Sequence, residues 1–123
     1  MQKHILIVED EIDIREAMAE AATMAGFTVS TASNGEAGLK EALAGKPDII
    51  LLDIVMPIMD GHTMLGKLRK DVWGKNVKVI MLTSMDDVHN IAHAHEETIT
   101  DYVIKAHSSL DEIITKVKQV IYS

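Results

Sequence analysis

Short apolar runs alternate with longer amphipathic segments five times along this chain. His4 to Val8 reads as a strand, with Ile5-Leu6-Ile7-Val8 at its heart, and it runs into the acids Glu9-Asp10-Glu11. Ile14, Met18, Ala21 and Ala25 then recur at helical spacing until Gly26 stops them. Thr28 to Ala32 is a short, β-branched strand. Ser33 and Glu36 have the spacing of a capping box, and Leu39, Ala42 and Leu43 form the inner face of the helix predicted after them, which Gly45-Lys46-Pro47 ends. Ile49-Ile50-Leu51-Leu52 has no polar alternation, as expected of a strand buried on both faces, and it stops on Asp53. Pro57 and Gly61 make a loop, with Asp60 placed to cap a helix that uses Met64, Leu65 and Leu68. After a loop at Trp73-Gly74-Lys75-Asn76, Val77 to Leu82 is the fourth strand, ending at Thr83-Ser84. A helix is predicted from about Asp86 to Glu97, and a fifth strand from Asp101 to Lys105. Ser109 and Glu112 repeat the capping-box spacing, and Leu110, Ile113, Ile114, Val117 and Ile121 give the cleanest amphipathic stripe in the chain.

Five strand–helix pairs at this spacing predict an α/β fold: a doubly wound parallel sheet with five helices on its two faces. Right-handed crossovers restrict the connections, and the flavodoxin-like strand order 2-1-3-4-5 is the expectation for five such units. With 123 residues, no linker and no low-complexity stretch, residues 1–123 are expected to be one domain.

Composition narrows the chemistry. There is no cysteine, so disulfides, thiol catalysis and cysteine-held metals are excluded. The net charge of −7 argues against a surface that tracks nucleic-acid phosphates. No apolar run approaches a membrane span, and the N-terminus lacks a signal-peptide pattern, so a soluble cytoplasmic location is expected.

The carboxyl ends of parallel strands share one edge, where open α/β sheets bind ligands. Strand one brings Glu9 and Asp10 to that edge, strand three Asp53, strand four Thr83 and Ser84, and strand five Lys105. Clustered carboxylates repel one another, and a divalent cation with oxygen ligands compensates them; Mg²⁺ fits this donor set best, with Mn²⁺ as a substitute. Carboxylates can form acyl phosphates, so Asp53 is a candidate nucleophile, with Lys105 and Thr83 to hold phosphoryl oxygens. His89 and His93 lie four apart on the predicted helix, but no third ligand has matching spacing, so a solvated face is the favoured reading.

Four segments carry a family resemblance: Leu6-Ile7-Val8-Glu9-Asp10-Glu11, Asp53-Ile54-Val55-Met56-Pro57-Ile58-Met59-Asp60-Gly61, Val79-Ile80-Met81-Leu82-Thr83-Ser84 and Asp101-Tyr102-Val103-Ile104-Lys105. In this order, at strand ends, they resemble the receiver domain of two-component response regulators, of the single-domain, chemotaxis-regulator-like kind. The resemblance implies that Asp53 is the phosphoacceptor. It implies that Asp10 and Asp53 are direct Mg²⁺ ligands, with Glu9 acting through water and the Val55 backbone carbonyl completing the protein ligands. It makes Thr83 the switch hydroxyl, Tyr102 the switch aromatic and Lys105 the partner of the phosphoryl group. The implied phosphodonor is a phosphohistidine on a sensor kinase or a histidine phosphotransfer domain. The implied output is a downstream protein docking on the surface of the fourth helix, fifth strand and fifth helix, with no direct nucleic-acid contact. Such a chain catalyses only its own phosphorylation and dephosphorylation. This sequence departs from the family pattern at Ala106, where proline is usual, and at Lys78, Thr98 and His107.

Three other readings compete. An aspartyl-nucleophile phosphohydrolase commonly has a second acid two residues after the nucleophile, where this chain has Val55. A flavin or nucleotide carrier needs a glycine-rich loop after the first strand, where acids stand instead. A receiver that binds partners without being phosphorylated would not need the full set of Glu9, Asp10, Asp53, Thr83 and Lys105.

Overall fold

The computed structural model of the chain describes residues 2–83, 101–105 and 108–122. Five strands, β1 (His4–Val8), β2 (Thr28–Ala32), β3 (Ile49–Asp53), β4 (Lys78–Thr83) and β5 (Asp101–Ile104), form one parallel sheet in the order β2-β1-β3-β4-β5. The described helices are α1 (Ile12–Met24), α2 (Gly35–Gly45), α3 (Gly61–Leu68) and α4 (Leu110–Ile121). The flavodoxin-like order expected from the sequence is the order found. The helix expected over 86–97, with His89 and His93, lies outside the described residues, as do Ser84, Thr98, Ala106 and His107.

The apolar runs are explained by burial on both faces of the sheet. Ile5, Ile7, Ile49, Leu51, Ile80 and Leu82 form one core with Met18 and Ala22 of α1 and with Ile113, Val117 and Ile121 of α4. The alternate residues Leu6, Val8, Ile50, Leu52, Val79 and Met81 form a second core with Ala42 of α2 and with Met64, Leu65 and Leu68 of α3. Each fully buried Ile or Leu contributes about 1.5–3 kcal/mol, so the central strands have no room for polar residues until their ends. That is why the first acid of β3 is its last residue.

Several boundaries differ from expectation. The N-cap of α2 is Asn34, whose side chain accepts from the Ala37 amide at 2.8 Å; Ser33 stands outside the helix. The Gly35 amide donates to the Met59 carbonyl at 2.9 Å, which ties the chain to the β3–α3 loop just where the helix begins and moves its start one residue on. Leu43 and Leu110, assigned to inner faces, are partly exposed, at 38% and 40%; Leu110 is the first residue of α4. The second capping box is present as expected, with Glu112 N donating to Ser109 Oγ at 3.2 Å and Ser109 N to Glu112 Oε1 at 3.3 Å. β4 starts and ends one residue later than expected, so Thr83 belongs to the strand. Lys105 follows β5 immediately instead of closing it.

Candidate functional site

The parallel register brings the strand ends to a common level. Val8 lies opposite Leu52, Asp53 opposite Leu82, and Thr83 opposite Ile104. Glu9 and Lys105 directly follow β1 and β5, and Asp53 is the last residue of β3, and so the three meet at this edge although they lie far apart in sequence.

Lys105 is the hub. Its Nζ donates to Glu9 Oε2 at 3.2 Å and Oε1 at 3.3 Å, and to Asp53 Oδ2 at 3.4 Å. Glu9 is fully buried, and Asp53 retains 6% of its exposure. The other Asp53 oxygen, Oδ1, accepts from the Ile54 amide at 2.9 Å. One oxygen from each of Glu9, Asp10 and Asp53 lies within 4.8 Å of the others. Oxygens bound to one Mg²⁺ stand at most about 4.2 Å apart, so Glu9, Asp10 and Asp53 are close to the spacing of residues that would hold such an ion, which would neutralise their charge. Three carboxylates against one ammonium leave a two-charge deficit, which a divalent cation matches. The donor set therefore fits Mg²⁺.

Burial pushes the Glu9 carboxyl up to about 7, and the hydrogen bond and repulsion from Asp53 add to it, only partly offset by Lys105. For Lys105, burial pulls the ammonium down, but the negative charges of Asp53 and Glu9 outweigh it and hold its pKa above the ordinary value.

Thr83 is buried at the end of β4, the strand beside Asp53. Tyr102 is two residues short of the end of β5, paired with Met81 and 40% exposed; it is not gathered with the acids. Val55, two residues past Asp53, has an exposed side chain.

Two supports escaped the sequence reading. Arg15 Nη1 donates to the Glu9 carbonyl at 2.9 Å and to the Asp10 carbonyl at 3.5 Å, fixing the acidic turn from the first turn of α1. An arginine a few residues past the acids was the available signal. Gly61 is the second: its amide donates to the Ile54 carbonyl at 2.8 Å, and a side chain there would press on Asp53 itself. Only the tertiary contact reveals its role.

A doubly wound parallel sheet of this order, with acids and a lysine at its carboxyl edge, defines a receiver-type α/β signalling domain. The family model of the response regulator receiver domain matches residues 5–118, and the chain belongs to that family. It is 40% identical over 107 residues to the probable transcriptional regulator ycf27 of Cyanidium caldarium, covering 87% of this chain and 42% of that protein. It is 38% identical over 104 residues to the transcriptional regulatory protein CseB of Streptomyces coelicolor, covering 85% of this chain and 43% of that protein. The chain thus spans less than half the length of these curated relatives. Among solved structures it resembles the response regulator protein TrrA from Thermotoga maritima in complex with Mg²⁺ and BeF, with a TM-score of 0.84 and 36% identity, covering 97% of this chain and 99% of that one. No described helix is long and apolar enough to cross a membrane.

Proposed function

We propose that this chain, as a single receiver unit over residues 1–123, is a phosphoacceptor of a two-component relay and that Asp53 is the residue phosphorylated. The observation that carries the reading is the recessed Asp53 carboxylate held by Lys105 beside Glu9 and Asp10. An Asp53 oxygen attacks the phosphorus of a phosphohistidine, the N–P bond breaks, and the freed imidazole leaves with the electron pair and takes a proton. Lys105 Nζ, already within reach of Asp53 Oδ2, exchanges that contact for the incoming phosphoryl oxygens. Thr83, at the end of the neighbouring strand, is the second donor to them. Asp10 and Asp53 would hold Mg²⁺ (or Mn²⁺) directly, with the Val55 carbonyl, and Glu9 through water. When bound, the ion supplies charge neutralisation for the transferring group.

The new phosphoryl charge draws Thr83 inward, and Tyr102 is the aromatic that follows it. The face made by the predicted 86–97 helix, β5 and α4 is the output surface, for a protein partner and not for DNA. The donor is a sensor histidine kinase or a phosphotransfer domain in the cytoplasm, and the chain turns over no external substrate.

The test is incubation with acetyl phosphate and Mg²⁺ followed by intact mass. One phosphoryl group is expected, and none on Asp53→Ala. No gain on the wild type, or a gain that survives the substitution, overturns the reading and favours a phosphorylation-independent interaction module.

A further inference from the structure

We propose that the cavity at the amino edge of the sheet binds a nucleoside phosphate, held by Lys3, Lys46 and Lys78 and by the Trp73 indole. The cavity measures about 370 Å³, within the range of about 300–1,000 Å³ of small-molecule sites. The strand starts build it. Lys3 directly precedes β1, Pro47 and Asp48 precede β3, Lys78 opens β4, and Ile121 closes α4 beside them. Asp53 ends β3 at the opposite edge, so the length of that strand separates the two sites.

Three ammonium groups around one cavity stand out in a chain of net charge −7. None of the three forms an ion pair among the described residues. The one acid on the lining, Asp48, accepts from the His4 amide at 2.8 Å through Oδ2. Against that acid the lysines leave two positive charges in excess, which matches a phosphate monoester of about −1.5 to −2 at pH 7.

The fold sets two of these lysines. Lys78 Nζ donates to the Val120 carbonyl at 2.8 Å, which holds its charge at the cavity and leaves two of its three donors for a ligand. Lys46 caps α2 with φ +47°, a left-handed position where glycine is the usual residue. A lysine kept there at a conformational cost gives the cavity a charge that glycine would not. The remaining lining is apolar: Pro47, Val77 and Ile121 are buried, and Trp73 is partly buried. A bare phosphate would leave that surface unused. A nucleoside phosphate engages both parts, its base against the indole and the apolar lining, its phosphate among the ammoniums.

Trp73 is the only tryptophan, so its fluorescence reads this cavity directly. The probes are AMP, GMP, CMP and UMP, with adenosine and inorganic phosphate as the two halves. Each is titrated into the full chain without Mg²⁺, with excitation beyond the absorption of the bases. At least one nucleotide should give a saturable change, and each half alone should bind about tenfold more weakly or worse. Lys46→Gly, which suits the backbone, and Lys3→Gln should each raise Kd about tenfold, as expected for losing one charge-assisted hydrogen bond. Lys67→Gln, at an exposed position of α3, should leave Kd unchanged. Thermal melts of the two cavity variants, run in parallel, keep a folding defect from passing as lost binding. No saturable change with any of the four nucleotides overturns the proposal. Binding that Lys46→Gly and Lys3→Gln both leave intact also overturns it, because the ligand then sits elsewhere. Inorganic phosphate binding as tightly as the nucleotide does the same, because the base then takes no part.

Discussion

Gly61 and Gly66 lie in the same helix, α3, yet an alanine should act in opposite directions at the two positions. A Cβ on Gly61 would press on the Asp53 carbonyl oxygen and lie 3.0 Å from Ile54 Cα and 3.1 Å from the Asp53 carbonyl carbon. Carbon atoms in comfortable contact stand about 3.5–4.0 Å apart, so backbone must move by roughly half an ångström or more. The atoms that would move are those that carry the Asp53 carboxylate. Overpacking of this kind typically costs about 1–3 kcal/mol. At about 2.1 cal/mol/K of unfolding entropy per residue, a domain of this size loses roughly 4 °C of Tm per kcal/mol, so Gly61→Ala should melt about 4–12 °C lower. At Gly66 nothing lies within 4 Å of an added Cβ. There the helix interior gains from the better helix former, by about 0.5–1 kcal/mol, and Tm should rise by about 2–4 °C. Thermal unfolding followed by circular dichroism reads both. Because a misplacement of about 1 Å at a reacting group can cost a hundredfold, Gly61→Ala should also slow phosphorylation by acetyl phosphate at least tenfold, while Gly66→Ala leaves it unchanged. Tm shifts of the same sign in the two variants would refute the claim that contact with Asp53 is what selects glycine at 61.

Two further outcomes follow from the charges. The Asp60 carboxylate accepts from the Thr63 amide at 2.8 Å, and hydrogen bonding to that backbone holds its pKa below the ordinary 3.8. Asp60→Ala should therefore lose about 1 kcal/mol at pH 7 by urea denaturation, and the charge-dependent advantage of wild type over Asp60→Asn, present above pH 3.8, should fade as the pH falls below it; a gap unchanged with pH would exclude the carboxylate charge as its source. Lys105→Met removes the one ammonium found against Glu9 and Asp53 among the described residues. Glu9, already raised to about 7, is then pushed higher, so the folded state binds a proton that the unfolded state releases, and stability should fall as pH rises from 6 to 8, more steeply than in wild type. Urea midpoints at the two pH values measure it, and parallel slopes would show that Lys105 does not offset the carboxylates.

The chain's own pattern determined the architecture. Short unbroken aliphatic runs such as Ile49 to Leu52, bounded by breakers, fit strands covered on both sides, and their alternation with amphipathic segments points to a parallel sheet with helices on each face. It also determined which residues meet, because strand ends of a parallel sheet share an edge wherever they lie in the chain; Glu9, Asp10, Asp53 and Lys105 were legible on that ground. Helix starts were less so. Ser33 and Asn34 are both good caps, and the choice between them was made by Met59, distant in sequence, whose carbonyl takes the Gly35 amide. The tertiary structure alone decided the balance inside the site: that Lys105 lies nearer Glu9 than Asp53, that Glu9 is fully buried, and that Arg15 pins the acidic turn. It alone set Ile58 in a left-handed turn and put Gly61 against Asp53. These are matters of distances between segments apart in sequence, fixed by how the loops close over the sheet edge. Local periodicity reports which side of an element faces inward, and carries no record of what lies opposite.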